Sequence, residues 1–106
     1  MARLDEVLAG EKSWGQYSVD VLGHVALGTA YALPVIASGI VWLDDPVPVV
    51  LGLGAVAALF GGVIREMVQA VKTGKLHLLD RSLDALQHLL GAPVALGIVL
   101  AVRALL

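Results

Sequence analysis

Two long, predominantly apolar runs decide what this chain can fold into. The first covers residues 19–43 and the second covers residues 47–71. At a rise of about 1.5 Å per residue, a helix of either length exceeds the bilayer hydrocarbon thickness of about 30 Å. Both runs are therefore predicted to be transmembrane helices.

A third apolar segment carries polar residues near its start. Residues 92–106 are too short to cross a bilayer, but a helix over 83–106 is long enough. Pro93 is expected to kink it. Apolar residues make up 58% of the chain, against roughly 45–50% in soluble proteins. We therefore expect one all-α membrane domain over residues 1–106 with three transmembrane helices.

Residues 1–18 form the predicted N-terminal interfacial segment. Leu4, Val7 and Leu8 stand at helical spacing among charged residues, which is typical of a short amphipathic helix on a membrane surface. A solvated tail is the alternative. The segment has no continuous apolar stretch like that of a cleavable signal peptide. The net charge of −2 argues against nucleic acid as a partner, since no basic stripe can neutralise phosphates.

Local residues mark where the helices begin and end. Ser13 and Gln16 match a capping box that would start the first helix. Residues 44–46, Asp-Asp-Pro, predict a turn in which an aspartate caps the second helix. Gly74 is the expected C-terminal glycine of that helix.

The charges of the two connections predict the topology. Lys72, Lys75 and Arg81 fall in or beside the second connection, whereas Asp44 and Asp45 occupy the first. By the positive-inside rule the second connection faces the cytoplasm. We therefore expect a multi-pass protein of the inner (cytoplasmic) membrane with a cytoplasmic N-terminus.

Ionisable side chains within the spans are the most informative feature, because each is expensive in lipid. Every predicted helix has one face that joins small residues to polar ones, as in the row Gly54, Ala58, Gly62 and Glu66. The polar residues lie near the cytoplasmic end of each helix, so they should share one depth. The predicted polar cluster is Asp20, His24, Glu66, Gln69, Arg81, Asp84 and His88.

Three interpretations of this cluster are open. The side chains can serve structure alone, by fixing helix register near the interface. They can instead bind or act on a ligand, because three helices contribute to one level. His24, Glu66, Asp84 and His88 also suit zinc or iron chemically, but no compact ligand motif such as H-E-x-x-H occurs. We therefore expect neither a resident metal nor a cofactor.

Three short motifs in these residues resemble those of the VanZ-like membrane protein family. Residues 20–24, Asp-Val-Leu-Gly-His, are similar to its D-K-x-x-H segment. Residues 62–69 resemble its G-x-x-x-E-x-x-Q segment, and residues 84–91 resemble its D-x-x-x-N-x-x-G segment. Order and spacing agree over roughly residues 20–97, which is most of the chain.

Two departures from the family pattern matter. Gly23 stands where the family is usually apolar, and His88 stands where it has asparagine. The family often has an additional span, so the chain resembles a short form. The resemblance implies a bacterial or phage inner-membrane protein of the cell envelope, connected in the founding case with glycopeptide resistance. It names no reaction, and whether the chain is an enzyme stays open.

Two functions compete at this point. The first is a VanZ-like envelope protein whose polar cluster holds a lipid headgroup or a similar polar ligand. The second is a non-enzymatic, oligomerising membrane module, either a phage holin-like protein or a small subunit of a membrane complex. The small-residue row of the second helix suits self-association. A strongly basic C-terminal tail, common in holins, is absent from residues 102–106.

Overall fold

The computed structural model describes residues 3–74 and 78–106, and every regular element in these ranges is helical. The elements are α1 (Leu4–Leu8), α2 (Trp14–Val41), α3 (Val47–Thr73), α4 (Leu78–Gln87), a 3₁₀ turn (His88–Leu90) and α5 (Gly91–Leu105). Three helical stretches are long and apolar enough to cross a membrane: Trp14–Val41, Val47–Thr73 and Leu79–Leu105. The predicted all-α membrane fold with three transmembrane helices is confirmed.

The first transmembrane helix begins at Trp14, directly after the predicted capping residue Ser13, and so extends beyond the apolar run that starts at residue 19. The predicted capping box is formed at this end. The Gln16 backbone N–H donates to Ser13 Oγ at 3.1 Å, and the Ser13 N–H donates to Gln16 Oε1 at 3.0 Å. Residues 14–18 therefore belong to α2 and not to the N-terminal segment.

The N-terminal segment forms α1, a helix of five residues. Its Val7 is buried and its Leu8 is exposed. Arg3 Nε lies 3.9 Å from Asp80 Oδ2, which places the start of α1 beside the start of α4. This helix begins at Leu78, before the predicted residue 83. An aspartate in its first turn suits the positive end of the helix dipole.

The turn between α2 and α3 differs from the prediction in one respect. Pro46 is the N-cap of α3 and no side chain caps this helix, so the expected aspartate cap is wrong. Asp44 instead adopts a positive φ of 53°, a conformation that aspartate tolerates better than most residues. The Asp45 N–H donates to the Gly39 carbonyl at 3.0 Å. The two aspartates thus shape the turn.

The predicted glycine at the end of α3 is confirmed. Gly74 has a left-handed φ of 67°, and its N–H donates to the Ala70 carbonyl at 3.0 Å. Glycine adopts this conformation without the steric cost of a Cβ atom. Lys72 lies in the last turn of this helix. Lys75 lies outside the described residues.

α2 and α3 pack through buried positions four residues apart. The rows are His24, Gly28, Ala32, Ile36 and Ile40 on α2, and Val50, Gly54, Ala58, Gly62 and Glu66 on α3. Gly54 leaves space for the Ile36 side chain, because a Cβ atom on Gly54 would lie 2.5 Å from Ile36 Cδ1. The small-residue row of α3, which also suited self-association, is therefore used within the chain.

The third span is interrupted by the 3₁₀ turn at His88–Leu90. Pro93 has no N–H, so it cannot donate to the Leu89 carbonyl as an α-helix requires. The Gly91 N–H contacts the carbonyls of His88 and Leu89 instead. The kink expected from Pro93 is thus a local tightening of the helix, and it lies at the level of the buried His88.

Candidate functional site

Each membrane span buries one polar side chain. Among the described residues, His24 of α2, Glu66 of α3 and His88 of the 3₁₀ turn are only 2%, 3% and 0% exposed. His24 begins the buried row of α2 and Glu66 ends the row of α3. The two helices run in opposite directions, so these residues meet at the same end of the bundle. Three apolar helices thus enclose one polar centre.

His24 lies in the middle of this centre. Its Nδ1 is 2.6 Å from Gln87 Oε1, and Gln87 Nε2 donates to the Tyr17 hydroxyl at 3.1 Å. Its Nε2 is 3.8 Å from Glu66 Oε1, and its Nδ1 is 3.8 Å from Asp84 Oδ1. One imidazole therefore contacts carboxylates from both other spans.

Glu66 is held by two arginines. Arg65 Nη1 donates to Oε1 and Arg81 Nη1 donates to Oε2, each at 2.9 Å. Arg81 Nη1 also donates to Gln69 Oε1 at 2.9 Å, and its Nη2 lies 3.5 Å from Thr73 Oγ1. Two guanidinium groups neutralise the buried carboxylate, as a buried charge requires. Arg81 thereby ties α4 to the end of α3.

His88 packs against both other spans. Its Nδ1 donates to the Asp84 backbone carbonyl at 2.7 Å. Its ring centroid lies 5.0 Å from that of His24 and 6.0 Å from that of Tyr31, with which it stacks at 15°. Gly62 leaves the space for the ring, because a Cβ atom there would lie 2.7 Å from His88 Cγ. The small-residue row of α3 therefore accommodates the imidazole.

The structure brings most of the predicted polar cluster into one network. His24, Glu66, Asp84 and His88 form its centre, and Gln69 and Arg81 join it through Glu66. Asp20 lies half-buried on α2, one turn before His24.

Sequence reasoning left four contributors out of the cluster: Tyr17, Tyr31, Arg65 and Gln87. Helical spacing offered a signal for three of them. Tyr17 and Tyr31 stand seven residues before and after His24, and Gln87 stands three residues after Asp84, so each shares a face with a predicted residue. Arg65 is adjacent to Glu66 and gave no such signal.

A groove of about 440 Å³ opens beside this network, between α3 and α4. Its wall is mostly apolar, and Glu66 and Arg81 are its charged residues. The lining residues are Val63, Glu66, Met67, Ala70, Val71, Arg81, Ser82 and Ala85. This volume lies within the range of about 300–1,000 Å³ that is typical of small-molecule pockets.

Two chemical features distinguish the centre from an ordinary buried ion pair. Nε2 of His24 and Nε2 of His88 are buried without a hydrogen-bond partner among the described residues. One ring nitrogen of His24 and one oxygen each of Glu66 and Asp84 also lie within 4.8 Å of one another. These three residues can therefore share a metal ion or a proton.

No protein-family model matches this chain, and no curated protein or solved structure matches it. The resemblance to the VanZ-like family therefore rests on the three motifs alone. In this structure all three motifs contribute residues to the same polar centre, through His24, Glu66 and Asp84.

Proposed function

We propose that this chain is a small VanZ-like protein of the bacterial cell envelope, whose polar centre binds a lipid with an anionic headgroup. The observation that carries the proposal is the groove between α3 and α4, which joins an apolar wall to Arg81. An acyl chain matches the wall, and a phosphate group matches the guanidinium. The groove thus combines the two recognition elements that a phospholipid needs.

Arg81 has donors to spare for such a headgroup. Within the described ranges, its contacts with Glu66 and Gln69 both come from Nη1, and Nη2 makes a long contact of 3.5 Å with Thr73. A guanidinium has five N–H donors, so a phosphate can bind while the Glu66 pair persists. The buried Glu66 acts here as an anchor that holds Arg81 in a fixed orientation.

The proposed orientation places the groove in the cytoplasmic half of the inner membrane. Lys72 lies in the last turn of α3 and Arg81 near the start of α4. Positive charge at this connection supports a cytoplasmic location and a cytoplasmic N-terminus. Anionic lipids of the cytoplasmic leaflet attract basic residues at that surface. The site and its proposed ligand therefore meet on the same side.

A comparison of lipids tests this function. The purified chain is reconstituted in detergent with phosphatidylglycerol or with zwitterionic phosphatidylethanolamine, and bound lipid is counted by native mass spectrometry. We expect preferential retention of phosphatidylglycerol and loss of that preference in Arg81→Gln. Arg103→Gln removes the same charge from an exposed position on α5 and serves as the matched control. Equal retention of both lipids by the unchanged chain would contradict the proposal.

The oligomerising membrane module is the competing hypothesis. Chain size, three spans and the small-residue row of α3 supported it in the sequence, and this row packs against α2 and His88. Lysis of cells after induced expression would favour a holin-like role. Harmless expression with an altered lipid or glycopeptide phenotype of the cells would favour the envelope role.

A further inference from the structure

His24, Glu66 and Asp84 bring three metal-ligating groups together from three different spans. One ring nitrogen and two carboxylate oxygens lie within 4.8 Å of one another. His24 and Glu66 are also among the most buried residues, at 2% and 3% exposure. We propose that these three side chains bind one divalent transition-metal ion. This inference goes beyond the lipid site and does not depend on it.

The hydrogen bonding of His24 prepares it as a ligand. Its Nδ1 lies 2.6 Å from Gln87 Oε1, and an amide oxygen only accepts, so the proton resides on Nδ1. The lone pair is then on Nε2, which is buried and has no hydrogen-bond partner among the described residues. Metal-binding histidines are typically held this way, with the second ring nitrogen donating to a protein oxygen. A bound cation would satisfy the orphaned nitrogen.

The distances suit a small cation. His24 Nε2 is 3.8 Å from Glu66 Oε1. Metal–ligand bonds of about 2.0–2.2 Å allow two ligand atoms to lie at most about 4.4 Å apart, so this pair already fits. Asp84 Oδ1 lies 3.8 Å from the other ring nitrogen, Nδ1, and its side chain is 15% exposed. Asp84 is therefore the ligand that has to rotate, towards Nε2, to complete the set.

The arginines on Glu66 limit the affinity without blocking the site. Glu66 Oε1 accepts from Arg65, but each carboxylate oxygen has two lone pairs, so one remains for a metal. Arg81 also contacts Gln69 and Thr73, which keep it in place if its bond to Glu66 lengthens. The two carboxylates attract the ion, but the guanidinium groups of Arg65 and Arg81 repel it. We expect weaker binding than in a closed structural zinc site.

The donor set selects the class of metal. Imidazole suits zinc, iron and other transition metals, whereas all-oxygen sets suit magnesium and calcium. One histidine with two carboxylates therefore favours Zn²⁺ or Mn²⁺ over Mg²⁺. His88 is not part of the converging group among the residues that the structure describes. Its ring lies beside His24, where it supports the orientation of that ligand.

Metal titration of the purified full chain tests the proposal. The protein in detergent, stripped with a chelator and without added anionic lipid, is titrated with Zn²⁺ and with Mg²⁺ by calorimetry. We expect one Zn²⁺ per chain, no comparable Mg²⁺ binding, and at least tenfold weaker Zn²⁺ binding in Asp84→Asn. Asp44→Asn makes the same change in the exposed turn and should bind like the unchanged chain.

A spectroscopic measurement identifies the side chain that coordinates the metal, even if one variant is unstable. Electron spin echo spectra of the Mn²⁺-loaded chain should show coupling to an imidazole nitrogen, and His24→Gln should remove it. Absence of Zn²⁺ binding by the folded chain would overturn the proposal, and so would binding that both Asp84→Asn and His24→Gln leave unchanged. Equal retention of the two lipids by the unchanged chain, with Zn²⁺ binding intact, would reject the lipid function alone.

Discussion

Gly28 on α2 lies directly against the backbone of His88, so the first and third spans meet there without an intervening side chain. A Cβ atom on Gly28 would overlap the His88 carbonyl oxygen, and one on Gly91 would overlap the Thr29 backbone nitrogen. The contact is therefore backbone against backbone on both sides. Because His88 is held here, its ring takes a fixed position beside His24.

Gly28→Ala should destabilise the fold strongly. The added methyl group meets main-chain atoms of His88, which cannot rotate away as a flexible side chain can. Overpacking of this kind typically costs about 1–3 kcal/mol, occasionally more. Thermal unfolding in detergent measures the loss of stability.

Gly23→Ala is the control on the same helix, because its Cβ atom meets nothing within 4 Å. That change should be neutral or stabilising, by up to about 1 kcal/mol, and an equal loss in both variants would contradict the close approach.

Gly62→Leu should disrupt the polar centre. A Cβ atom at this position would lie 2.7 Å from His88 Cγ and 2.8 Å from its Nδ1, so a branched side chain displaces the imidazole. We expect a reduced yield of folded protein in detergent, measured by size-exclusion chromatography. Gly52→Leu on the exposed face of α3 is the matched control and should fold normally. An unchanged yield for Gly62→Leu would show that this face of α3 accommodates a large side chain.

Glu66 and Arg81 should be energetically coupled. Glu66→Gln or Arg81→Gln alone leaves a poorly compensated charge in the centre, which is costly where water is scarce. Removing both charges should cost less than the sum of the single changes. A double-mutant cycle on unfolding free energies should give an interaction energy of about 0.5–3 kcal/mol.

The matched control for this cycle pairs Glu66→Gln with Arg103→Gln, because Arg103 is exposed on α5. Distant sites normally behave additively, so this second cycle should show no interaction energy. Additivity in both cycles would mean that the ion pair between Glu66 and Arg81 contributes no net stability.

The topology of the chain can be measured independently of the site. A reporter inserted at residue 45 should report an external location, and one at residue 75 a cytoplasmic location, because positive charge gathers at the second connection. This measurement uses fusion reporters that are active on only one side of the membrane. The reverse pattern would place the polar centre at the external surface and would remove the proposed link to cytoplasmic anionic lipids.

Periodicity at four residues predicts much of the polar centre from the amino-acid sequence. Gly54, Ala58, Gly62 and Glu66 are all buried, because small residues on one helix face mark where another helix packs. Other features have no such signal. The 3₁₀ turn at His88–Leu90 lies just before Pro93 and against Gly28, and neither residue alone predicts where the helix tightens. The bond between His24 and Gln87 joins residues 63 positions apart.

Apolar run length is sufficient to predict a helical membrane protein with three spans. The reason is that a lipid environment requires every backbone polar group to be satisfied within the protein, so a long apolar run leaves few alternatives to a helix. Which polar atoms meet is a property of the tertiary packing. Whether His24 contacts Glu66, Asp84 or Gln87 depends on helix rotation and on separations of a few ångströms. Packing at Gly28 and Gly62 sets these quantities, and hydropathy carries no information about them.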